Sequence, residues 1–397
     1  MNNLKTYTQF ITEALGVPSG LLQQAEKSTT TLLEKINSSF AQEKDLPLVV
    51  LYSTTGQIKS GYMDGYQTYT TAFLLDGISF SDMTINELMI ELVIRESSFA
   101  NKIELDGLAY QLEFEQDTDL TKLVAKMEDR TTITIYINCP EETTWQQISE
   151  FVVLEQNQIY DSLTHELKHV YDYFKSNRMS FEEWADYKAS LSMNTGIEAF
   201  SFFFTAIYYL STIETLTRNT QFLSRLRRHG VFYEDFRAFV ETDEIAGSLL
   251  LMKKKMNWTN FKKSIANDPD LDVYLSLNFI QDLDGLTAEE KVEMALISVW
   301  QEYRQNKEMI VRRLLAAKMS SGFTQILVDK QMQSQIDKIV QKSLSTRNYE
   351  EFFKNWFALF NKQADAALRK LFKLIDTLPK RPRPKGEKMN LPGSIDQ

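Results

Sequence analysis

The chain is 397 residues long, enough for two or three domains and a sizeable core, and its composition (43% hydrophobic, 25% charged, 12% aromatic) is that of a folded globular protein. A net charge of −10 argues against a general nucleic-acid binder, which more often carries a basic field. The single cysteine, Cys139, excludes an intrachain disulfide and a cysteine-based zinc cluster, and fits a reducing compartment.

Residues 1–45 read as interrupted helix. "LKTYTQFITEAL" is apolar at helical spacing, "GVPSG" (16–20) breaks it, and "LLQQAEKSTTTLLEKINSSFAQE" resumes it. "LPLVVLYS" (46–53) reads as a buried strand, followed by a loop holding Gly56, Gly61 and Gly65. "ELMIELVIR" (87–95) fits strand or helix, while "GLAYQLEFE" (107–115) and "TTITIYIN" (131–138) alternate as strands. Residues 46–140 are thus expected to form a small mixed sheet with a helix near 118–128. From Pro140 onward the period is helical: a long amphipathic stretch at 143–176, then helices near 181–193, 196–210, 212–228, 233–246, 257–265, 288–318 and 347–377.

The fold class expected is α+β, with a large all-helical rear (241–378) that carries no assignable motif. "LLLMKKKMNW" (249–258) reads as a solvated helix face. The Pro-rich, basic stretch 379–397 reads as disordered. The longest apolar run, "AFSFFFTAIYYL" (199–210), is far short of the ~20 residues a membrane span needs. The N-terminus lacks the basic-then-apolar pattern of a secretory signal, so neither membrane insertion nor export by that route is expected.

The chemistry is concentrated in "DSLTHELKHVYDYF" (161–174), which holds two of the three histidines. Positions four apart lie one above the other on a helix, so His165 and His169 present two imidazoles to one point, the spacing a zinc ion needs for two ~2.0–2.1 Å bonds. Glu166 stands about 100° round the same turn, able to reach a water at the metal without ligating it. The H-E-x-x-H pattern, on a helix that follows an alternating strand, resembles the zincin superfamily of zinc metallopeptidases. That resemblance covers roughly residues 107–220. It implies a domain over 46–240, zinc as cofactor at one ion per chain, a protein or peptide as substrate, and Glu166 as general base. It also implies an edge strand ahead of the metal helix along which substrate aligns antiparallel, for which "TTITIYIN" is the candidate.

Two histidines do not close a catalytic zinc site, which takes three protein ligands. The metzincin pattern would place a further histidine at position 175, which is a lysine. The resemblance therefore points to the gluzincin arrangement, with a glutamate from a following helix. Glu198 in "NTGIEAF" and Glu214 in "YYLSTIETLTR" are the candidates. Glu214 is preferred, because "YYLS" followed shortly by Glu resembles a pattern in phage-encoded H-E-x-x-H proteins. Each has a structural reading beside the functional one: Ser211-x-x-Glu214 spells a capping box, and Glu198 is a first-turn acid. Asp172 reads as an outer partner orienting an imidazole, or as a solvated acid. His229 in "RLRRHGVF" is a candidate donor to the reaction's oxyanion, against the plain reading of a helix C-terminal histidine before a C′ glycine. Tyr208 and Tyr209 are candidates for the same donor role.

The opening "MNNLKTYTQFITEAL" resembles the capsid-targeting peptide of internal head proteins in T-even-type tailed phages, which ends in aliphatic-x-Glu before a small residue. By that resemblance residues 1–13 are a propeptide cut between Glu13 and Ala14, and 14–45 is a helical N-terminal segment of the mature chain. It implies a protein packaged in the virion interior, or acting in the host cytoplasm, with capsid components as partners and no specific nucleic acid. The reading of the whole sequence is a zinc endopeptidase of gluzincin type. Two rivals stand beside it: a phage internal head protein whose zincin-like domain is inactive, and a toxin-like effector using the same chemistry on a host protein.

Overall fold

The computed structural model describes residue 18 and residues 20–381, apart from positions 64, 81–82, 111–113, 116–121, 126–129, 177–178, 194, 279–282 and 284 and most of 321–347. The leader read at 1–13 and the tail beyond 381 lie outside the described residues. Helix α1 (Leu21–Ser38) buries Leu21, Ala25, Leu32 and Ile36, one face at helical spacing, against the sheet and the metal-motif helix.

The apolar run read as a strand at 46–53 is instead a two-turn helix, α2 (Leu48–Thr55). Pro47 occupies its N-cap and Gly56 closes it with a left-handed φ of 65°. Only Leu48 and Leu51 are buried in it, a helical spacing that a short continuous apolar run conceals.

The main sheet runs β1-β2-β3-β7-β4. Strands β1 (Lys59–Met63), β2 (Tyr66–Phe80) and β3 (Met83–Glu96) form an antiparallel meander. Strand β7 (Arg130–Cys139) lies parallel to β3, and β4 (Glu104–Tyr110) lies antiparallel to β7. The region expected to be a glycine loop is thus a hairpin, its two-residue turn ending in Gly65 at φ 87°. Gly77 lies opposite Asn86 in an unbroken β2–β3 register, and a Cβ there would lie 2.4 Å from the Asn86 carbonyl oxygen.

In β7 the alternation of the sequence is realised. Ile133, Ile135, Ile137 and Cys139 face the core, and Thr132, Thr134, Tyr136 and Asn138 face out. The strand is interior, however, flanked on both sides, so the edge beside it is β4 and not 131–138. The helix expected near 118–128 is also corrected. Lys122–Ala125 forms a strand, β6, in a small second sheet between β5 (Phe114–Glu115) and β8 (Met179–Ser180), and the rest of that stretch lies largely outside the described residues.

The long run 143–176 divides at Glu155 into α3 (Trp145–Leu154), entered through a Thr144/Gln147 capping box, and α4 (Gln156–Ser176). Ile159, Leu163, Leu167 and Val170 of α4 are fully buried in the hydrophobic core shared with the sheet, and α4 packs against α1, β4 and α7 (Thr212–Arg228).

Behind this front, α5 (Phe181–Leu191), α6 (Glu198–Tyr209) and α7 lead into α8 (Phe236–Thr242), α9 (Glu244–Lys255), α10 (Trp258–Ala266), α11 (Leu271–Asn278), α12 (Ala288–Ser320) and α13 (Tyr349–Phe372). The buried Phe203 of α6 has six rings (Phe204, Phe261, Phe352, Phe353, Phe357, Phe360) with centroids 4.9–6.1 Å away. Helix α12 grips α5 through one acid: Tyr303 donates to Asp186 at 2.6 Å and the Lys307 ammonium lies 2.6 Å from the same oxygen. The stretch 249–258 is only half a solvated face, since Leu249, Met252 and Met256 are buried and Lys253 pairs with Asp365. No single described helix is both long and apolar enough to cross a membrane.

Candidate metal centre

The buried apolar side of α4 fixes its rotation, and that rotation turns His165 and His169 toward the first turn of α7. There Ser211 caps the helix, its Oγ accepting the Glu214 N–H at 3.4 Å. The cap reading is therefore correct for the backbone. The Glu214 carboxylate itself goes to the histidines. Glu214 Oε1 lies 3.1 Å from His169 Nε2, Glu214 Oε2 lies 3.4 Å from His165 Nε2, and the two Nε2 atoms are 3.0 Å apart.

A tetrahedral ion with bonds of about 2.0–2.1 Å holds its donors ~3.3 Å apart, so the three donors are spaced as one cation would space them. All three residues are buried, Glu214 completely, and among the described residues only the two imidazoles approach its oxygens within hydrogen-bond distance. A carboxylate sealed from water with so few donors is costly, and a cation between it and two imidazoles removes that cost. The three residues could hold a metal ion.

The protonation states agree with that role. Burial pushes the His165 pKa down to about 4, and the Glu214 hydrogen bond only partly opposes it, so its ring is neutral and able to ligate near pH 7. Burial acts the same way on His169 but is outweighed by the hydrogen bond and charge of Glu214, with Glu166 and Asp172 adding to it, and its pKa rises. For Glu214 burial opposes ionisation, and the two imidazoles overcome it and hold the carboxyl far below its usual range. Without a cation the site thus favours one shared proton, which metal binding would release. Thr217, fully buried one turn along α7, has its Oγ1 3.4 Å from His169 Nδ1, leaving Nε2 to face the cluster.

Glu166 is buried on the next position of α4. It adjoins His165 in the chain, and its charge acts on His169 and on the hydroxyls of Tyr187 (α5) and Tyr208 (α6). Those tyrosine rings lie 5.2 Å apart. Burial first, then the negative charge of Glu214 and Glu166, raises both pKa values well above the tyrosine norm, so both hydroxyls stay protonated donors. Arg218, one turn beyond Glu214, has its Nε 3.7 Å from Glu214 Oε2, and its guanidinium lies 3.4 Å above the centre of the Tyr209 ring.

Two candidates fall elsewhere, and a third is engaged beside the cluster. His229 is a correction: it caps the far end of α7, about 22 Å along the helix axis from Glu214 at 1.5 Å per residue. It is exposed, has its ring 5.6 Å from that of Phe239, and is followed by Gly230 at φ 57°, the arrangement of a plain helix end. Glu198 is exposed at the start of α6, where its N–H donates to Asp268. Asp172 receives the Lys168 ammonium, and burial raises its pKa against the pull of Lys168 and His169. Thr217 and Arg218 were missed in the sequence although their i+3 and i+4 relation to Glu214 was visible. Tyr187 carried no signal, because only the packing of α5 brings it in. The chain matches no family model, no curated protein and no solved structure.

Proposed function

We propose that the protein is a zinc-dependent endopeptidase of gluzincin type. The observation that carries this reading is the convergence of His165, His169 and the sealed Glu214 carboxylate from two helices, with Glu166 beside them. A divalent cation held there would supply Lewis acidity, lowering the pKa of water and polarising a carbonyl. Glu166 then takes a proton from water at its carboxylate and returns it to the leaving amine. Tyr208 and Tyr187 offer hydroxyl protons to the charge that develops on the carbonyl oxygen. Helix α4 packs against β4, whose outer edge has no strand partner among the described residues, and an extended peptide can pair along it. The likeness of residues 1–13 to a capsid-targeting peptide supports packaging in a phage virion, with capsid proteins as partners and peptide substrates met in the head or the host cytoplasm.

A second reading is favoured by the burial of the cluster: His165, Glu166 and His169 are each 9% exposed or less. A site so closed is also what a structural metal in a virion protein needs. The experiment that decides is Glu166→Gln in the full chain. On the first reading the variant keeps about one zinc per chain by elemental analysis and loses peptide hydrolysis by a factor of 10² or more. Zinc without hydrolysis in the unmodified protein selects the structural reading, and absence of zinc removes both.

A further inference from the structure

Several cations of this chain are matched by acids: Lys168 has Asp172, Lys307 has Asp186, Arg225 has Asp243 and Arg228 has Asp161. Two near the candidate metal centre depart from this. Lys188 on α5 is exposed and pairs with no carboxylate among the described residues. Its Nζ rests 4.8 Å from the Trp184 ring centre and 5.5 Å from that of Tyr187, and burial alone acts on its pKa, lowering it. Arg218 is only partly satisfied. Its buried Nε faces Glu214 at 3.7 Å without a hydrogen bond, and its terminal Nη groups bond to no described residue.

The rings join the two cations into a strip. Trp184 stacks on Tyr187 at 5.4 Å, Tyr187 lies 5.2 Å from Tyr208, and the Arg218 guanidinium lies 5.7 Å from Tyr208 and 3.4 Å from Tyr209. With its Nε 3.7 Å from Glu214 Oε2, the Arg218 guanidinium stands directly beside the candidate metal ligands. A guanidinium held flat on an aromatic face is pre-organised, and its free edge matches a carboxylate with two parallel N–H donors. With a divalent cation present, the positive charges of the ion, Arg218 and Lys188 outweigh Glu214 and Glu166, on a chain whose net charge is −10.

We infer that this strip is a specificity subsite beside the metal centre and selects peptides carrying an Asp or Glu side chain next to the scissile bond. The substrate carboxylate docks on the Arg218 edge, and Lys188 adds attraction further out. The inference rests on the metal-site reading above. The test uses the zinc-loaded full chain and two peptide hydroxamates that differ only in a Glu or Gln beside the hydroxamate, so that both engage the metal and neither needs to be cleaved.

The Glu analogue should bind at least about tenfold more tightly to the unmodified protein. Arg218→Gln should bring the ratio close to one, Arg218→Lys should restore part of it, and Lys188→Gln should lower it. Because the readout is a ratio, any loss of zinc affinity in the Arg218 variants cancels, and Lys188→Gln keeps the test open if those variants fold poorly. Equal binding of the two analogues to a zinc-loaded protein overturns the subsite alone, as does a Glu preference that survives Arg218→Gln, which would leave Arg218 as a prop for Glu214. Binding of neither analogue, or absence of zinc, overturns the metal reading and the subsite together.

Discussion

Glu214→Gln removes the charged donor of the cluster while keeping its shape, and its effect can be worked in advance. Zinc at about 1,000 times its dissociation constant stabilises a protein that binds it only when folded by ~4 kcal/mol. At roughly 2.1 cal/mol/K of unfolding entropy per residue, 397 residues unfolding together give ~0.8 kcal/mol/K, so Tm should rise by about 5 °C on loading. Loss of an outer-shell partner already weakens metal affinity by about 10–100-fold, and loss of a direct ligand should reach at least the upper figure. At the same free zinc the variant would then retain ~1.4 kcal/mol and a Tm rise under about 2 °C. Scanning calorimetry at buffered free zinc, with and without the ion, measures both. Glu198→Gln should keep the full rise, because that residue stands exposed at the start of α6. A full zinc response in Glu214→Gln, or none in the unmodified protein, would refute the reasoning.

Lys168→Met strands the largely buried Asp172 carboxylate without its ammonium and should cost about 3 kcal/mol in urea unfolding; adding Asp172→Leu should recover most of that, and a double variant no better than the single would contradict the pairing. Phe203→Ala empties the centre of the rear aromatic cluster and should cost about 3–5 kcal/mol by the same measurement, with a loss under about 1 kcal/mol counting against that cluster as a core. Cys139 is fully buried and its thiol is pushed up to about 12 by burial, so at pH 8 it stays protonated. Aromatic disulfide reagents should label it only after denaturation, and rapid labelling of the native protein would be the contrary result.

The parts of this fold that could be read from the sequence are those where one local signal suffices. The helix around 161–174 declared itself by period, and the two histidines by spacing. The strand at 131–138 declared itself by alternation. Glu214 was named over Glu198 by the run before it, and its approach to the imidazoles depends on how α7 crosses α4, which no local pattern encodes. The errors have physical causes. At 46–53 a short apolar run is compatible with either element, and only the framing Pro47 and Gly56 favour the helix. The Asp64–Gly65 pair between alternating stretches is a hairpin signal, and reading it as a loop cost two strands, β1 and β2. The position of β7 inside the sheet is a matter of strand order, set by pairing between residues some forty apart in sequence. His229 attracted a catalytic role only because histidine is rare in this chain.

Phe203 lies on the helix that also carries Tyr208, while most of the rings around it belong to α10 and α13. Were the chain cut near residue 240, Phe203 and Phe204 would meet water. At 150–250 Å² per ring and about 25 cal/mol/Å², that exposure alone approaches the entire ~5–15 kcal/mol stability of a typical domain. The front half is therefore not a detachable cassette. The rear helices act as its buttress, and truncations within them should silence the histidine site from a distance without touching one of its atoms.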